Sequence, residues 1–200
     1  MRSAFGIYDI ETDGLSPKTC RLACAVVLFL PAGRLRIYGP RDCRALVNDL
    51  TGVGVRIGHN SLTFDDPIIA RSAHRALGPR CWDLLDQIRK VNNNQHNGWG
   101  LEAIGKAMCP QLGAKQIEGK EIPDLVSKGR WHAVIDHCIH DVQTLEAIVR
   151  GVVRGHGMVS NGSARLRLNI AALNGFLDNN EGSRHGRYGR QDGPRPVSAS

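Results

Sequence analysis

The sequence lacks C-x-x-C pairs, apolar runs of membrane-spanning length and internal repeats. None of its six cysteines belongs to a C-x-x-C pair, which argues against a zinc site built from cysteines. Most of them lie in apolar stretches such as LACAVV and DHCIHD, so we expect buried, reduced thiols in an intracellular protein. The longest apolar run, LACAVVLFLPA, is too short to span a bilayer.

Acidic residues are outnumbered by basic ones. The chain has 26 Lys and Arg against 19 Asp and Glu, a net charge of +7. This excess favours a polyanionic partner without identifying it. The first residues, MRSAFGIYDIETDG, become acidic at once, so we expect no signal peptide and no membrane partner. Together with the cysteines, these features predict a cytoplasmic protein.

The apolar patterns predict an α/β domain. Three strand-like stretches joined by short turns come first, namely AFGIYDI, CRLACAVVLFL and RLRIYG, and short turns imply antiparallel pairing. A helix, a fourth strand (VGVRIGHN), a second helix and an ambiguous strand-to-helix passage (RCWDLLDQIRK) follow. The longest helical periodicity is WHAVIDHCIHDVQTLEAIVRGVV. The resulting order, β-β-β-α-β-α-β and then helices, predicts a mixed sheet with helices beside it.

The composition changes after about Gly155. We therefore expect one domain over residues 1–155 and a Gly- and Arg-rich tail over 156–200. Four apolar residues at helical spacing predict an amphipathic helix near 164–178: Leu166, Ile170, Leu173 and Leu177. We favour docking of this helix on the core over a nucleic-acid or partner contact through its arginines. From about Asn179 the tail is too polar for a core and is expected to be disordered.

Two acids lie close together in YDIETDGL. Asp9 and Glu11 are two residues apart, which places both side chains on one face of a strand. Adjacent carboxylates repel and are costly to bury, and a divalent cation removes that cost. Ligands that are all oxygens suit Mg²⁺ or Mn²⁺. The alternative is a strand end that carries exposed acids before a turn.

Two further stretches combine polar residues with the ends of predicted elements. In IGHNSLTFDDPII a helix starts near Asp65 or Asp66, and helix capping alone would explain one of these aspartates. In IDHCIHDVQTLE, His137 and Asp141 are four residues apart and share a helical face. That face can turn toward Asp9 and Glu11 if the helix packs across the sheet; otherwise it is a solvated helix surface.

These three stretches in order resemble the three motifs of the DEDD (DnaQ-like) 3′–5′ exonucleases. DIETDGL is similar to the first motif, GHNSLTFD to the second and HCIHDVQTLE to the third, and the resemblance covers roughly residues 4–152. It implies a ribonuclease-H-like mixed sheet of about five strands, the first three antiparallel, flanked by helices. It also implies hydrolysis of single-stranded nucleic acid from its 3′ end by a two-metal mechanism with Mg²⁺ or Mn²⁺. DNA is slightly favoured over RNA, and the products would be nucleoside monophosphates.

The resemblance implies a role for each acid. Asp9, Glu11, Asp65 and Asp141 would bind the metal ions, with Asp9 between both ions. Asp65 matches better than its neighbour Asp66 because the family motif has an aromatic residue before the catalytic aspartate. Three residues would bind substrate: Thr12 at the 3′ end, Leu15 against the terminal base, and Asn60 by fixing the loop of the second motif.

The chain departs from the family at the residue expected to act as general base. The family has a tyrosine four residues before the last aspartate or a histidine five residues before it, whereas this chain has His137 and Asp136 there. A neutral imidazole can accept a proton from water near neutral pH. We therefore predict that His137 is the base, with His140 and His59 as alternatives.

The sequence is also compatible with two other functions. A non-catalytic nucleic-acid binder on the same fold would suit the basic charge, although four acids repel phosphate unless a cation is bound. A glycosidase that uses Asp9 and Glu11 as its carboxylate pair ranks last, because neighbours on one strand are poorly placed as acid and base. If the chain acts in proofreading, a separate polymerase or another replication or repair protein would be its partner.

Overall fold

The computed structural model describes residues 4–113 and 117–177. Its main sheet has five strands in the order β3-β2-β1-β4-β5: β1 (Phe5–Thr12), β2 (Leu22–Leu30), β3 (Arg34–Tyr38), β4 (Val55–Gly58) and β5 (Cys81–Asp83). The first three strands are antiparallel, and β4 and β5 run parallel to β1. The predicted mixed sheet is confirmed, as is the order of strands and helices along the chain.

Helices cover both faces of this sheet. They are α1 (Cys43–Gly52), α2 (Asp65–Ala73), α3 (Leu84–Val91), α4 (Leu101–Met108), α5 (Ile122–Ser127) and α6 (Trp131–Arg154). Every residue of β2 is buried, as expected for a central strand with helices on either side. No helix in the described ranges is long and apolar enough to cross a membrane. The cysteines are all free, as expected from the sequence.

The alternation of side chains along β1 divides the core in two. Phe5 and Ile7 face the layer that contains α6, whereas Tyr8 and Ile10 face the layer that contains α1 and α2. By the same alternation, Asp9 and Glu11 point to the α6 side. The polar end of β1 therefore faces the longest helix of the structure.

Helix α6 packs across β1 and β2. The stripe of residues that predicted this helix is buried throughout and consists of Val134, Cys138, Val142, Leu145 and Val149. These positions recur every three to four residues, so the helix presents one continuous apolar face to the sheet. Its second and third turns lie beside the end of β1, where Cys138 contacts Asp9.

The amphipathic helix predicted near 164–178 does not form. Residues Met158–Ser160 (β6) and Arg165–Arg167 (β7) pair as an antiparallel hairpin, and Ala171–Leu173 forms a single 3₁₀ turn. Of the four residues that predicted the helix, Leu173 is buried in the α6 layer, and Leu166, Ile170 and Leu177 are partly buried against it. Leucines at this spacing can be buried from extended and turn backbone as well as from a helix.

Docking of this segment on the core, the favoured expectation, is confirmed. The ring of Phe176 meets that of Phe5 edge-on, with centroids 5.1 Å apart. The indole N–H of Trp82 donates a hydrogen bond to the carbonyl oxygen of Asn169 at 3.0 Å. The disorder expected from about Asn179 concerns residues that lie outside the described ranges.

Gly58, the last residue of β4, permits a close approach that the next loop requires. A Cβ atom at this position would lie 2.2 Å from Ser61 Oγ and 2.5 Å from Ser61 Cβ. Ser61 is itself buried, at 1% exposure, so its side chain has no free space to move into. The loop that leads from β4 to Asp65 therefore depends on a glycine at position 58.

We predict that Gly58→Ala lowers the free energy of unfolding by roughly 1–3 kcal/mol, because the added methyl group overpacks a closed site. Gly52→Ala is the matched control, since nothing lies within 4 Å of a Cβ atom there. It should leave stability unchanged or raise it by up to about 1 kcal/mol, as alanine favours a helix. Urea unfolding of both variants measures this, and equal stabilities would contradict the prediction.

Candidate active site

Two acids at the carboxyl end of β1 form the first wall of the site. Glu11 is 8% exposed and Asp9 is half-buried. The thiol of Cys138 on α6 donates to the backbone oxygen of Asp9 at 3.3 Å and lies 3.6 Å from its Oδ2 atom. Helix α6 thus fixes both the backbone and the carboxylate of Asp9.

The second wall comes from α6 itself. His137 Nε2 lies 3.7 Å from Glu11 Oε1 and 3.7 Å from Asp141 Oδ2. One ligand-type atom from each of these three residues lies within 4.8 Å of the other two. The expectation that His137 and Asp141 share a helical face turned toward β1 is confirmed.

Asp65, the first residue of α2, brings a fourth carboxylate. It is only 4% exposed. Burial raises the pKa of its carboxyl well above the ordinary value, and the nearby charges of Asp9, Asp66 and Asp83 raise it further. The effect of the Asp9 charge on Asp65 indicates that the second motif lies close to the first, as the family resemblance implied.

The neighbouring Asp66 has a different task. Its carboxylate accepts a hydrogen bond from the Tyr8 hydroxyl at 2.5 Å and another from Arg56 Nη2 at 2.9 Å. The Arg56 side chain is 2% exposed, so Asp66 neutralises a buried cation. Neither Asp65 nor Asp66 caps the helix, because the N-cap residue of α2 is Phe64. These contacts support the preference for Asp65 as the metal-binding acid.

Sequence analysis missed Asp83, which holds the loop of the second motif. Its carboxylate accepts hydrogen bonds from the backbone N–H groups of Asn60 and Leu62, each at 2.9 Å. It also accepts from the N–H groups of Leu85 and Asp86 and thereby caps α3. An aspartate directly before the helical stretch LLDQI is a recognisable N-cap signal, but it does not reveal the contact with the loop.

The three predicted substrate-binding residues lie at the end of β1, in the turn after it and in the loop before α2. The Thr12 hydroxyl donates to the carbonyl oxygen of Gly14 at 2.6 Å, and Leu15 is 66% exposed in the turn after β1. Asn60 adopts a positive φ of 61°, and its side chain accepts a hydrogen bond from Thr63 Oγ1 at 2.7 Å. These contacts tie Asn60 into the loop, and substrate binding by all three residues remains a prediction.

The alternative bases occupy different environments. His140 Nδ1 lies 3.7 Å from Asp141 Oδ1, and its Nε2 is buried without a hydrogen-bond partner among the described residues. His59 is half-buried at the end of β4, and Asp136 is exposed. The side chain of His137 is 4% exposed and faces two of the acids, which supports its selection over the others.

The arrangement of acids fits a hard divalent cation. Asp9, Glu11, Asp65 and Asp141 come from three separate elements and offer only oxygen ligands, the kind that Mg²⁺ and Mn²⁺ prefer. Burial raises the pKa of the Asp65 carboxyl most, and the nearby negative charge of Asp9 raises it further. A bound cation would relieve that repulsion.

Comparisons with known proteins agree with the fold. No family model and no curated protein matches the sequence. A family B DNA polymerase from the hyperthermophilic archaeon Pyrobaculum calidifontis is similar over 74% of this chain and 24% of the polymerase, with a TM-score of 0.56 and 13% identity. A nuclease in its apo form is similar over 77% of this chain and 75% of the nuclease, with a TM-score of 0.50 and 14% identity.

E. coli exonuclease I in complex with a dT13 oligonucleotide is also matched, with a TM-score of 0.48 and 15% identity over 88% of this chain and 43% of the exonuclease. The chain thus spans less than half of exonuclease I and about a quarter of the polymerase. The likeness to the polymerase and the nuclease shows the fold. The chain has a ribonuclease-H-like α/β fold, with the five-stranded mixed sheet that the sequence predicted.

The adjacent aspartates should respond to substitution in opposite directions. In buffer with EDTA, Asp65→Asn should raise the free energy of unfolding at neutral pH, because the folded protein must either bury the charge of Asp65 or hold a proton on it, and asparagine requires neither. Asp66→Asn should lower it by roughly 3–5 kcal/mol, because Arg56 would lose its carboxylate partner.

The pH dependence follows from the raised pKa of Asp65. When the pKa of a carboxyl group is higher in the folded state, the stability of the protein falls as pH rises from the unfolded pKa, about 3.9, toward the folded pKa. Wild-type protein in EDTA should therefore lose stability over that window, and Asp65→Asn should lose less. Chemical unfolding at several pH values measures both effects. Identical pH profiles would show that folding does not raise the pKa of Asp65.

Proposed function

We propose that this chain is a metal-dependent 3′–5′ exonuclease. Its substrate would be single-stranded nucleic acid, with DNA slightly favoured over RNA, and it would release nucleoside monophosphates. The observation that carries the proposal is the convergence of Glu11, His137 and Asp141, with ligand-type atoms within 4.8 Å of one another. Asp9 and the buried Asp65 adjoin this cluster. The shared fold with a nuclease supports the same function.

Asp9, Glu11, Asp65 and Asp141 would hold the metal, and we expect two ions of Mg²⁺ or Mn²⁺. A bound divalent ion neutralises charge on the scissile phosphate and lowers the pKa of a bound water. The positions of Asp9 and Asp141 are fixed by strand β1 and helix α6, so these acids require little rearrangement to bind.

His137 is the proposed proton acceptor. Its Nε2 atom faces the site, and the carboxylates of Glu11 and Asp141 each lie 3.7 Å from it. Two nearby negative charges stabilise the imidazolium that forms when Nε2 takes a proton from the attacking water. The ring is almost fully buried and therefore held in one place.

The 3′ end of the substrate would lie at the rim of the site. Leu15, which is exposed after β1, offers an apolar surface for the terminal base. Thr12 Oγ1 already donates its proton to Gly14, so it would contact the 3′ end as a hydrogen-bond acceptor. Asn60 would act through the loop that leads to Asp65.

A non-catalytic binder on the same fold is the weaker proposal. The carboxylates gather at one place and repel phosphate unless a cation is bound. The partner of an exonuclease would be a polymerase or another replication or repair protein. A cytoplasmic location fits the free cysteines.

The proposal is tested with end-labelled single-stranded DNA and RNA oligonucleotides in Mg²⁺ or Mn²⁺. We expect a ladder that shortens from the 3′ end and disappears with EDTA or a blocked 3′ end. Asp9→Ala should reduce the rate on the order of 100-fold or more, because a ligand at the reacting phosphate is lost. Asp124→Ala is the control, since Asp124 is an exposed acid on α5.

The ladder on DNA and on RNA identifies the preferred sugar. If folded protein cleaves neither polymer, the exonuclease proposal is wrong and the binding protein becomes the better account. Cleavage that resists EDTA would equally contradict a metal-dependent reaction.

The role of His137 has its own test. His137→Ala should lower turnover at saturating Mg²⁺ by roughly 10²- to 10⁴-fold, the usual contribution of a general base, while Mg²⁺ binding survives. His132→Ala, an exposed histidine on the same helix, should keep wild-type turnover. Single-turnover rates and Mg²⁺ titrations measure this. Wild-type turnover in His137→Ala would exclude His137 as the base and leave His140 and His59.

A further inference from the structure

We propose that Arg89 on α3 binds the backbone of the nucleic acid at a phosphate on the 5′ side of the scissile bond. This contact rests on the proposed function, which makes single-stranded nucleic acid the ligand. It adds a cation to a site whose other residues are acids, a histidine and uncharged side chains.

Arg89 is a half-buried cation with few contacts of its own. Within the described residues its only hydrogen bond runs from Nη2 to Asn60 Oδ1 at 3.5 Å, which is long for such a bond. Its guanidinium forms no ion pair with a carboxylate of the described residues. A guanidinium carries five N–H donors, so most of them have no protein acceptor in this part of the chain.

The nearest acid on the same helix is engaged by another cation. Asp86 lies three residues before Arg89, but its Oδ2 atom pairs with Lys90 Nζ at 2.7 Å. The same oxygen lies 3.5 Å from Gln87 Nε2. A partly buried charge without a counter-ion lowers stability, and a bound anion relieves that cost. Phosphate suits the planar guanidinium, which can donate two parallel hydrogen bonds to its oxygens.

Helix α3 places Arg89 beside the proposed site. Its apolar residues Leu84 and Ile88 are buried in the same layer as α6, and the acids of β1 point to that layer as well. Asn60, which Arg89 contacts, follows β4, the strand that pairs with β1. A single strand whose 3′ end lies at the acids can therefore pass Arg89 on the way out of the site.

The reaction decides which phosphate Arg89 would bind. The scissile phosphate would lie at the metal held by the acids, and Arg89 pairs with none of these acids among the described residues. An enzyme that releases one nucleoside monophosphate at a time cleaves the last phosphodiester of the strand. Every other phosphodiester lies on its 5′ side, so the phosphate at Arg89 belongs to a nucleotide that stays on the strand.

Substrate length tests this contact. A dinucleoside monophosphate has only the scissile phosphate, whereas a strand of about ten nucleotides also offers the phosphates on its 5′ side. Arg89→Gln should lower kcat/KM for the longer strand on the order of tenfold, through KM, because a charge-assisted hydrogen bond is lost in ground and transition state alike. Its kcat/KM for the dinucleotide should stay within about twofold of wild type.

Lys90→Gln is the matched control, since it removes the same charge from the next residue of α3, which already pairs with Asp86. It should keep wild-type kcat/KM on both substrates. An equal loss on the dinucleotide and the longer strand in Arg89→Gln would show that Arg89 only supports the loop at Asn60, and would overturn the inference. Equal losses in Arg89→Gln and Lys90→Gln would overturn it as well.

Binding is measured separately, by fluorescence anisotropy with labelled single strands of DNA and RNA. The Asp9→Ala background keeps the strand from being degraded, and circular dichroism establishes that each variant is folded. Adding Arg89→Gln should reduce the slope of log affinity against log salt concentration by about 0.7, the value for one phosphate contact in a single strand. Arg89→Lys, which keeps the charge, and Lys90→Gln should retain the original slope.

The two proposals fail separately. A protein that shows this change in slope but cleaves neither DNA nor RNA contradicts the proposed function alone. An active nuclease in which Arg89→Gln alters neither the slope nor the cleavage of the longer strand contradicts the inference alone. Folded protein that neither binds nor cleaves either polymer contradicts both.

Discussion

The packing of α6 across β1 is the contact on which the rest of the structure depends. The face of β1 that buries Phe5 and Ile7 continues into Asp9 and Glu11. The apolar face of α6 includes Cys138, which contacts Asp9 directly. One interface is therefore both core and site. Hydrophobic burial holds like-charged groups together at its polar end, where they would otherwise separate.

The second support of the site is a set of polar contacts beneath the loop from β4 to α2. Asp83 accepts hydrogen bonds from the backbone N–H groups of Asn60 and Leu62 in that loop, and Asp66 binds the buried guanidinium of Arg56. These two acids have partners that satisfy them, whereas Asp65 is buried close to another carboxylate. Among these neighbouring acids, Asp83 and Asp66 thus hold other parts of the fold in place through hydrogen bonds, whereas Asp65 is the one that a bound cation would relieve.

Sequence periodicity predicted which side chains share a face, because this depends on one strand or one helix alone. A period of two placed Asp9 and Glu11 on one face, and a helical period placed His137 and Asp141 on another. What could not be predicted are contacts between distant segments. The bond from Asp83 to the Asn60 backbone joins residues 23 apart, and neither residue type nor spacing indicates it. The helix predicted near 164–178 was wrong because apolar residues at helical spacing can also be buried from a hairpin followed by a turn.

The hairpin and 3₁₀ turn after α6 bear on where the folding unit ends. Phe176 is fully buried against Phe5, and Leu168 and Leu173 lie in the same core as β1 and α6. A chain cut at residue 155 would leave the first strand without its cover and expose aromatic surface to water. The segment after α6 is thus the closing layer of the domain, and the smallest piece that keeps its core intact extends to at least residue 176.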